Sequence, residues 1–144
     1  MKSAWVSIER LRKPHDKPFF LAAGFWKPHL PWNAPRKYFE MYPPEAITLP
    51  AVNAEDLEDV PAIGRGFAGS SLKHDEVVES GQWREAVQAY LACVSFVDSQ
   101  IGRVLAELDG LGLADDTIVI LWGDHGWKLS EYSAWSKCTN YELD

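Results

Sequence analysis

A long amphipathic segment followed by a short apolar run constrains the fold of this chain more than any other feature. From Trp83 to Leu108 apolar side chains recur every three or four residues, which predicts one face of an α-helix of about seven turns. Gly110 and Gly112 mark its end. The run Ile118–Trp122 is short and rich in β-branched residues, which favours a buried strand. A helix that leads directly into such a strand predicts the second half of a β-α-β unit.

A second apolar run, Phe19–Phe25, is the candidate for the first strand of that unit. The two runs together predict an α/β fold with a mostly parallel sheet flanked by helices. Ser7–Lys13 is expected to form the last turns of a helix, and a short helix that a proline opens is expected at Pro35–Tyr42. No regular pattern covers Glu45–Gly81, which is predicted to be loop.

Size and charge exclude several classes of protein. With 144 residues, 47% of them apolar, the chain suits one globular domain. Its net charge of −7 offers no basic surface for nucleic acid, so we expect no nucleic-acid partner. No apolar run approaches the roughly 18 residues of a membrane-spanning helix, so we expect no membrane partner. Two cysteines are too few for a disulfide framework.

Polar residues that can bind a metal or an anion follow both apolar runs. Asp124 and His125 come directly after the second run, between Gly123 and Gly126, and His29 follows the first. Ligands of open α/β sheets bind beyond the carboxyl ends of the strands, and Asp oxygen and His nitrogen are both metal ligands. If the strands are parallel neighbours, both histidines open onto one rim of the sheet. Turn chemistry, with Asp124 capping the next segment, accounts for the dipeptide equally well.

Other polar residues permit both a structural and a functional interpretation. Taken alone, His29 is more often a packed or capping residue than a ligand. Lys137 suits either a solvated surface or an anion site, since a lysine ammonium is a compact charge for a sulfate or phosphate oxygen. His15 and His74 are interpreted as solvated residues of a loop and of a charged turn. Cys93 lies beside the apolar face of the long helix and is interpreted as a small core residue.

Three long stretches carry a resemblance to a known family, in order and over nearly the whole chain. They read FFLAAGFWKPHLPWNAPRKYF (residues 19–39), YLACVSFVDSQIGRVL (90–105) and WGDHGWKLSEYSAWSK (122–137). The chain resembles the sulfatase family and, within it, the iduronate-2-sulfatase-like branch. The resemblance implies a partial alkaline-phosphatase-like α/β fold, with residues 1–144 forming the central-to-late portion of one catalytic domain. It also implies hydrolysis of sulfate esters on carbohydrates or related organic sulfates, by a parent protein of the exported type.

The resemblance implies roles for particular residues. It identifies Asp124 and His125 as ligands of a calcium ion. His29 in K-P-H and Lys137 in W-S-K would be catalytic residues that contact the sulfate and its leaving oxygen, and Lys27 would also lie on the substrate side. The nucleophile of the family is a formylglycine made from cysteine or serine.

The chain departs from the family pattern in its nucleophile. The family places a C-x-P-S-R or similar motif well upstream of the K-P-H block, and these 144 residues contain none. Cys93 lies in L-A-C-V-S and Cys138 in S-K-C-T-N, so neither qualifies. The chain is therefore expected to be an internal part of the catalytic domain. Since Asp124 and His125 alone leave a calcium ion undercoordinated, we expect weak or no calcium binding by this chain.

The loop before Lys137 departs from the family as well. Ser130 and Ser133 stand where glycine is common, and Lys128 and Tyr132 where histidine is common. Two alternatives to a sulfatase follow from the departures. One is a phosphoester or phosphonate hydrolase, because one fold serves both chemistries, and the other is a non-catalytic remnant that binds an anion or a glycan.

Overall fold

The computed structural model of the protein describes residues 2–53, 55–68 and 74–137. They fall into two compact units, the first from Met1–Met41 and Ala89–Ile120, the second from Tyr42–Gln88 and Leu121–Asp144. The helices are α1 (Lys2–Leu11), α2 (Arg36–Phe39), α3 (Ala62–Ala68), α4 (His74–Glu79) and α5 (Trp83–Gly110), with 3₁₀ turns at Pro44–Ala46 and Glu131–Ser133, and the strands are β1 (Lys128–Leu129) and β2 (Trp135–Ser136).

The predicted long helix is confirmed as α5, which has 28 residues. Its buried side chains include Val87, Ala92, Cys93 and Leu108, so the interpretation of Cys93 as a core residue is confirmed. Val94, which the pattern placed on the apolar face, is 37% exposed. No helix in the described ranges is long and apolar enough to cross a membrane.

Glycine ends α5 as predicted, through a Schellman motif. The amide of Leu113 donates to the carbonyl of Leu108 at 3.1 Å, and the amide of Gly112 donates to the carbonyl of Asp109 at 2.8 Å. Gly112 has a φ of +69°, in the left-handed region that a β-carbon disfavours. The two bonds satisfy carbonyls that a helix end otherwise leaves without partners.

In the first unit, α1 and α2 are held to α5 by packing and by polar contacts. The prediction that a helix ends within Ser7–Lys13 is confirmed by α1, which ends at Leu11, and the buried residues of α1 follow helical spacing. The ring of Tyr38, on α2, lies 5.3 Å from that of Phe96, and its hydroxyl is 2.6 Å from Ser99 Oγ. Trp32 meets Tyr90 edge-on at 6.1 Å.

A two-pronged ion pair joins the end of α1 to α5. Arg12 donates from Nε to Glu107 Oε1 at 2.8 Å and from Nη2 to Oε2 at 3.0 Å. This is the fork geometry that makes arginine–carboxylate pairs specific. The hydrogen bond from Arg12, together with its charge, holds the pKa of the Glu107 carboxyl below its ordinary 4.5.

In the second unit, the first turns of α5 bind the segment that precedes α3. Arg84 donates from Nη1 to the carbonyls of Pro44, at 3.2 Å, and Ile47. Gln88 donates from Nε2 to the Tyr42 carbonyl at 2.8 Å. Side-chain donors thus satisfy carbonyls in a stretch that has little backbone pairing of its own.

The prediction of a loop over Glu45–Gly81 is wrong in part. Two helices, α3 and α4, lie inside it. Asp75 and Glu76 occupy the first turn of α4, where carboxylates stabilise a helix N-terminus. Sequence periodicity missed these helices because they have seven and six residues, too few to show a repeating apolar face.

The two predicted buried strands are not strands in the structure. Phe19–Phe25 and Ile118–Trp122 have no regular secondary structure, and the sheet within the described ranges consists of β1 and β2, which run antiparallel. The prediction of burial is wrong too, since Phe20 is 94% exposed and Ile118 is 90% exposed. A parallel strand is buried only when neighbouring strands and helices cover it. The described residues supply no strand that pairs with either run.

Gly102, inside α5, and Gly112, just past its end, should respond to alanine in opposite directions. Gly112→Ala places a β-carbon at a positive φ and should lower the free energy of unfolding by about 1–2 kcal/mol. Gly102→Ala adds a β-carbon in open space inside the helix and should raise it by about 0.5–1 kcal/mol. Urea unfolding followed by circular dichroism measures both, and a shift of the two variants in the same direction would contradict the assignment of the helix end.

Stability should depend on pH through Glu107. Because its pKa is lower in the folded chain, the pair with Arg12 contributes above pH 4.5 and is lost as the pH falls through the folded pKa. Glu107→Gln should therefore lower the urea midpoint at about pH 7, and the loss should be smaller at about pH 3, below the ordinary pKa of the carboxyl. Glu9→Gln is the matched control, since Glu9 lies 3.6 Å from Arg12 Nη1 and is more exposed. An equal loss for Glu107→Gln at both pH values would argue against the ion pair.

Candidate functional site

The turn that carries Lys27 and His29 is closed by its own side chains. Lys27 donates from Nζ to the carbonyls of His29, at 3.4 Å, and Pro31. Trp32 donates from Nε1 to the carbonyl of Pro28 at 3.0 Å. Two prolines leave this segment with fewer backbone N–H donors, and the side-chain donors take their place at the carbonyls and stabilise the turn.

The ring of His29 has a defined orientation. Its Nδ1 lies 2.8 Å from the carbonyl oxygen of Leu30, and a carbonyl can only accept, so Nδ1 carries a proton. Its ring packs against Trp26, with centroids 4.6 Å apart and planes tilted by 37°. The contact with Leu30 thus fixes the tautomer of the ring, and the contact with Trp26 fixes its plane.

Asp124 and His125 present two ligand atoms close together. His125 Nδ1 lies 2.8 Å from the Gly126 carbonyl oxygen and so carries a proton, while Nε2 lies 3.4 Å from Asp124 Oδ2. The Asp124 side chain is 90% exposed. A carboxylate oxygen and an imidazole nitrogen at this separation can both reach one cation.

The fit to calcium is partial. Calcium takes six to eight oxygen ligands, whereas Asp124 and His125 supply one carboxylate and one nitrogen. Across the described ranges, no group of three or more His, Cys, Asp or Glu side chains is arranged to hold a metal. The pair therefore suits an edge of a calcium site whose other ligands come from elsewhere.

Lys137 follows a small hairpin in the second unit. β1 pairs with β2 so that Lys128 lies opposite Ser136 and Leu129 opposite Trp135. Lys137 is the next residue and is exposed.

The hairpin contains four non-glycine residues with positive φ. They are Ser130 (124°), Tyr132 (54°), Ser133 (53°) and Ser136 (76°). The left-handed region costs a residue with a β-carbon about 1–2 kcal/mol. Two of the four are Ser130 and Ser133, where the resemblance implies glycine, the residue that adopts a positive φ most readily.

The interpretation of His74 as a solvated turn residue is wrong. It is the first residue of α4, is half-buried, and bonds through Nδ1 to Ser130 Oγ. Its ring also meets Trp83 edge-on at 5.1 Å. The partner serine is 56 residues away in sequence, so no local pattern around His74 could reveal the bond. His15, by contrast, is exposed in a loop as predicted.

Cys93 and Lys128 are both buried side chains. The Cys93 thiol is free and fully buried, and burial raises its pKa despite the opposing charge of Lys27. A buried thiol with a raised pKa is a poor nucleophile, in agreement with its place in the core. Lys128 is buried with its ammonium 4.9 Å from the centre of the Tyr132 ring, a cation–π contact. Cys138 lies outside the described residues.

The predicted site residues thus form two local groups. Lys27 and His29 share the turn in the first unit, and Asp124 and His125 are adjacent in the second, which also contains Lys137. That the K-P-H turn and the D-H turn share one pocket stays a prediction.

Nearly the whole chain, and not only these residues, matches one protein family. The family model described as Sulfatase matches residues 3–144. The chain belongs to the sulfatase family. This confirms the resemblance, and the family has an alkaline-phosphatase-like α/β fold.

Individual relatives agree with this assignment. A protein named Sulfatase from Formosa agariphila is 42% identical over 96% of this chain and 27% of its own length. Mouse iduronate 2-sulfatase is 36% identical over 91% of this chain and 26% of its own. An arylsulfatase from Clostridium perfringens is 32% identical over 96% of this chain and 29% of its own. The chain thus spans little more than a quarter of the length of these relatives.

The 144-residue chain should bind calcium more weakly than micromolar affinity, because Asp124 and His125 provide two of the six to eight ligands required. Isothermal titration calorimetry with calcium chloride measures this. Asp124→Ala is the control and should leave the heat signal unchanged. Saturable binding at micromolar calcium that disappears in Asp124→Ala would show that this chain holds a complete site.

Proposed function

We propose that the protein to which this chain belongs hydrolyses sulfate esters, and that its substrate is a sulfated carbohydrate or a related organic sulfate. Membership of the sulfatase family supports the reaction, and the relative named iduronate 2-sulfatase supports a sugar sulfate. One structural observation carries the assignment of roles. His29 Nδ1 lies 2.8 Å from the Leu30 carbonyl oxygen, which places a proton on Nδ1 and supports Nε2 as the nitrogen that transfers a proton to the substrate.

His29 is the proposed general acid. When a sulfate ester is cleaved, the bond between sulfur and the leaving oxygen breaks and the oxygen takes up negative charge. A protonated Nε2 can donate its proton to that oxygen, and proton transfer of this kind contributes about 10²–10⁴-fold to rates. The contacts of its ring with Leu30 and Trp26 hold the imidazole in one orientation, which the transfer requires.

Lys137 and Lys27 are the proposed cationic groups on the substrate side. Lys137 is exposed at the end of the hairpin, where its ammonium can meet a sulfate oxygen. Lys27 spends two of its three N–H donors on the carbonyls of His29 and Pro31. Its remaining donor and its fixed charge suit one oxygen of the anion, while the other two keep the turn closed.

Asp124 and His125 are the proposed calcium ligands of this chain. Calcium, when bound, would neutralise charge on the sulfate oxygens. The residues of the chain itself orient the ester and hold the proton. The nucleophile lies outside these 144 residues in this proposal, and a formylglycine is the form that the family implies.

Removal of the His29 side chain should lower the rate of hydrolysis most for esters whose leaving group needs a proton. In the full-length protein, His29→Ala should lower kcat/KM for a sugar sulfate about 10²–10⁴-fold, because an alkoxide leaves poorly without a proton. The loss should be much smaller for 4-nitrophenyl sulfate, whose phenolate is stable without one. Steady-state kinetics on both esters measure the difference.

Controls for this experiment come from the same unit and from a second ester. His15→Ala changes an exposed loop histidine and should leave both rates unchanged. Equal losses on the two sulfates in His29→Ala would rule out a general acid at this position. Turnover of 4-nitrophenyl phosphate with none of the sulfates would instead favour a phosphoester hydrolase. Binding of sulfated sugars without any turnover would favour a non-catalytic remnant.

A further inference from the structure

The hairpin of β1 and β2 is tied to the helices of the second unit at two consecutive residues. His74, which begins α4, bonds through Nδ1 to Ser130 Oγ. Trp83, which begins α5, donates from its indole Nε1 to the carbonyl of Leu129 at 3.0 Å. The two aromatic rings meet edge-on, with centroids 5.1 Å apart and planes at 88°. The hairpin is therefore anchored by a pair of side chains that also brace each other.

Ser130 depends on the bond to His74 more than an ordinary serine would. It is fully buried, with 0% exposure, and a buried hydroxyl requires a hydrogen-bond partner. Its φ of 124° is unfavourable for a residue with a β-carbon, so the surroundings must hold it in place. The bond to His74, which lies outside the hairpin, supplies such a partner for this hydroxyl.

The anchored residues determine where Lys137 lies. Leu129 pairs with Trp135, and Lys137 comes two residues after Trp135, directly after the end of β2. A register slip of one residue turns every side chain to the opposite face of the sheet. The fixed position of β1 therefore also fixes the register of β2 and the faces to which its side chains point. A change at Ser130 is thereby passed to the backbone that carries Lys137.

We propose that His74 is a positioning residue that holds this hairpin, and with it Lys137, in the geometry needed to bind the sulfate group. The proposal rests on the role given to Lys137 in the proposed function. His74 does not touch the substrate; it acts through Ser130 and the pairing of β1 with β2. Displacement of a binding group by about 1 Å is enough to lower activity about 100-fold.

Variants of the full-length protein test the role of the bond. His74→Ala should lower kcat/KM for a sulfate ester about 10- to 100-fold, with an unchanged far-UV circular dichroism spectrum. His74→Asn, whose amide oxygen can accept the Ser130 hydroxyl proton, should restore most of the activity. Ser130→Ala removes the hydroxyl but keeps the β-carbon, so it should reproduce His74→Ala and replaces that variant if it does not fold. His15→Ala is the matched histidine control and should show wild-type activity.

A double-mutant cycle tests the route to Lys137. If His74 acts through Lys137, His74→Ala should cause no further loss of activity in a Lys137→Ala background. A second, equal loss in that background would overturn the proposal, because a general structural defect would add to the effect of Lys137→Ala. Wild-type activity of both His74→Ala and Ser130→Ala would overturn it as well.

Hydrogen exchange provides a readout that does not depend on activity. His74→Ala should speed amide exchange in residues 128–136 by about 10-fold or more and leave α5 unchanged. Unchanged exchange in the hairpin overturns the positioning role, even where His29→Ala and Lys137→Ala abolish activity and so uphold the proposed function. If the wild-type protein hydrolyses no sulfate ester, the proposed function fails, and the role of His74 in sulfate binding fails with it.

Discussion

Burial of one side of α5 is the constraint on which the rest of the structure depends. Its later turns bury Ala92 and Cys93 completely, and in the first unit they carry the contacts that hold α1 and α2. Its first turns use Arg84 and Gln88 to satisfy carbonyls of the second unit. The helix can form without a sheet, because each backbone amide in its interior bonds to the carbonyl four residues earlier in the same segment.

The two apolar runs, Phe19–Phe25 and Ile118–Trp122, cannot satisfy their backbone groups internally as a helix does. A strand satisfies its backbone groups only through neighbours, and a parallel strand also needs cover on both faces. Phe20 and Ile118 lie almost wholly in solvent, although the sequence gives both runs the composition of buried strands. The apolar composition of the runs therefore suits a buried strand, but a strand forms only where a neighbouring strand pairs with it.

The candidate site residues lie in or beside local turns, and one of these turns also depends on two contacts between residues far apart in sequence. The K-P-H turn is closed by Lys27 and Trp32, which bond to carbonyls four residues away. The hairpin before Lys137 relies on His74 and Trp83, whose partners are 56 and 46 residues away. Its positive φ values require support of this kind, because serine and tyrosine do not favour the left-handed region on their own.

The sequence by itself determined α5, its glycine end, the core place of Cys93 and the residue types of the site, because each follows from local periodicity or from a short motif. It could not reveal α4, the bond from His74 to Ser130, or the solvent exposure of the apolar runs. Those depend on partners distant in sequence, and no local pattern records which distant groups the folded chain brings within hydrogen-bonding distance. Only the tertiary structure decided that His74 bonds to the hairpin and that four residues of the hairpin adopt positive φ.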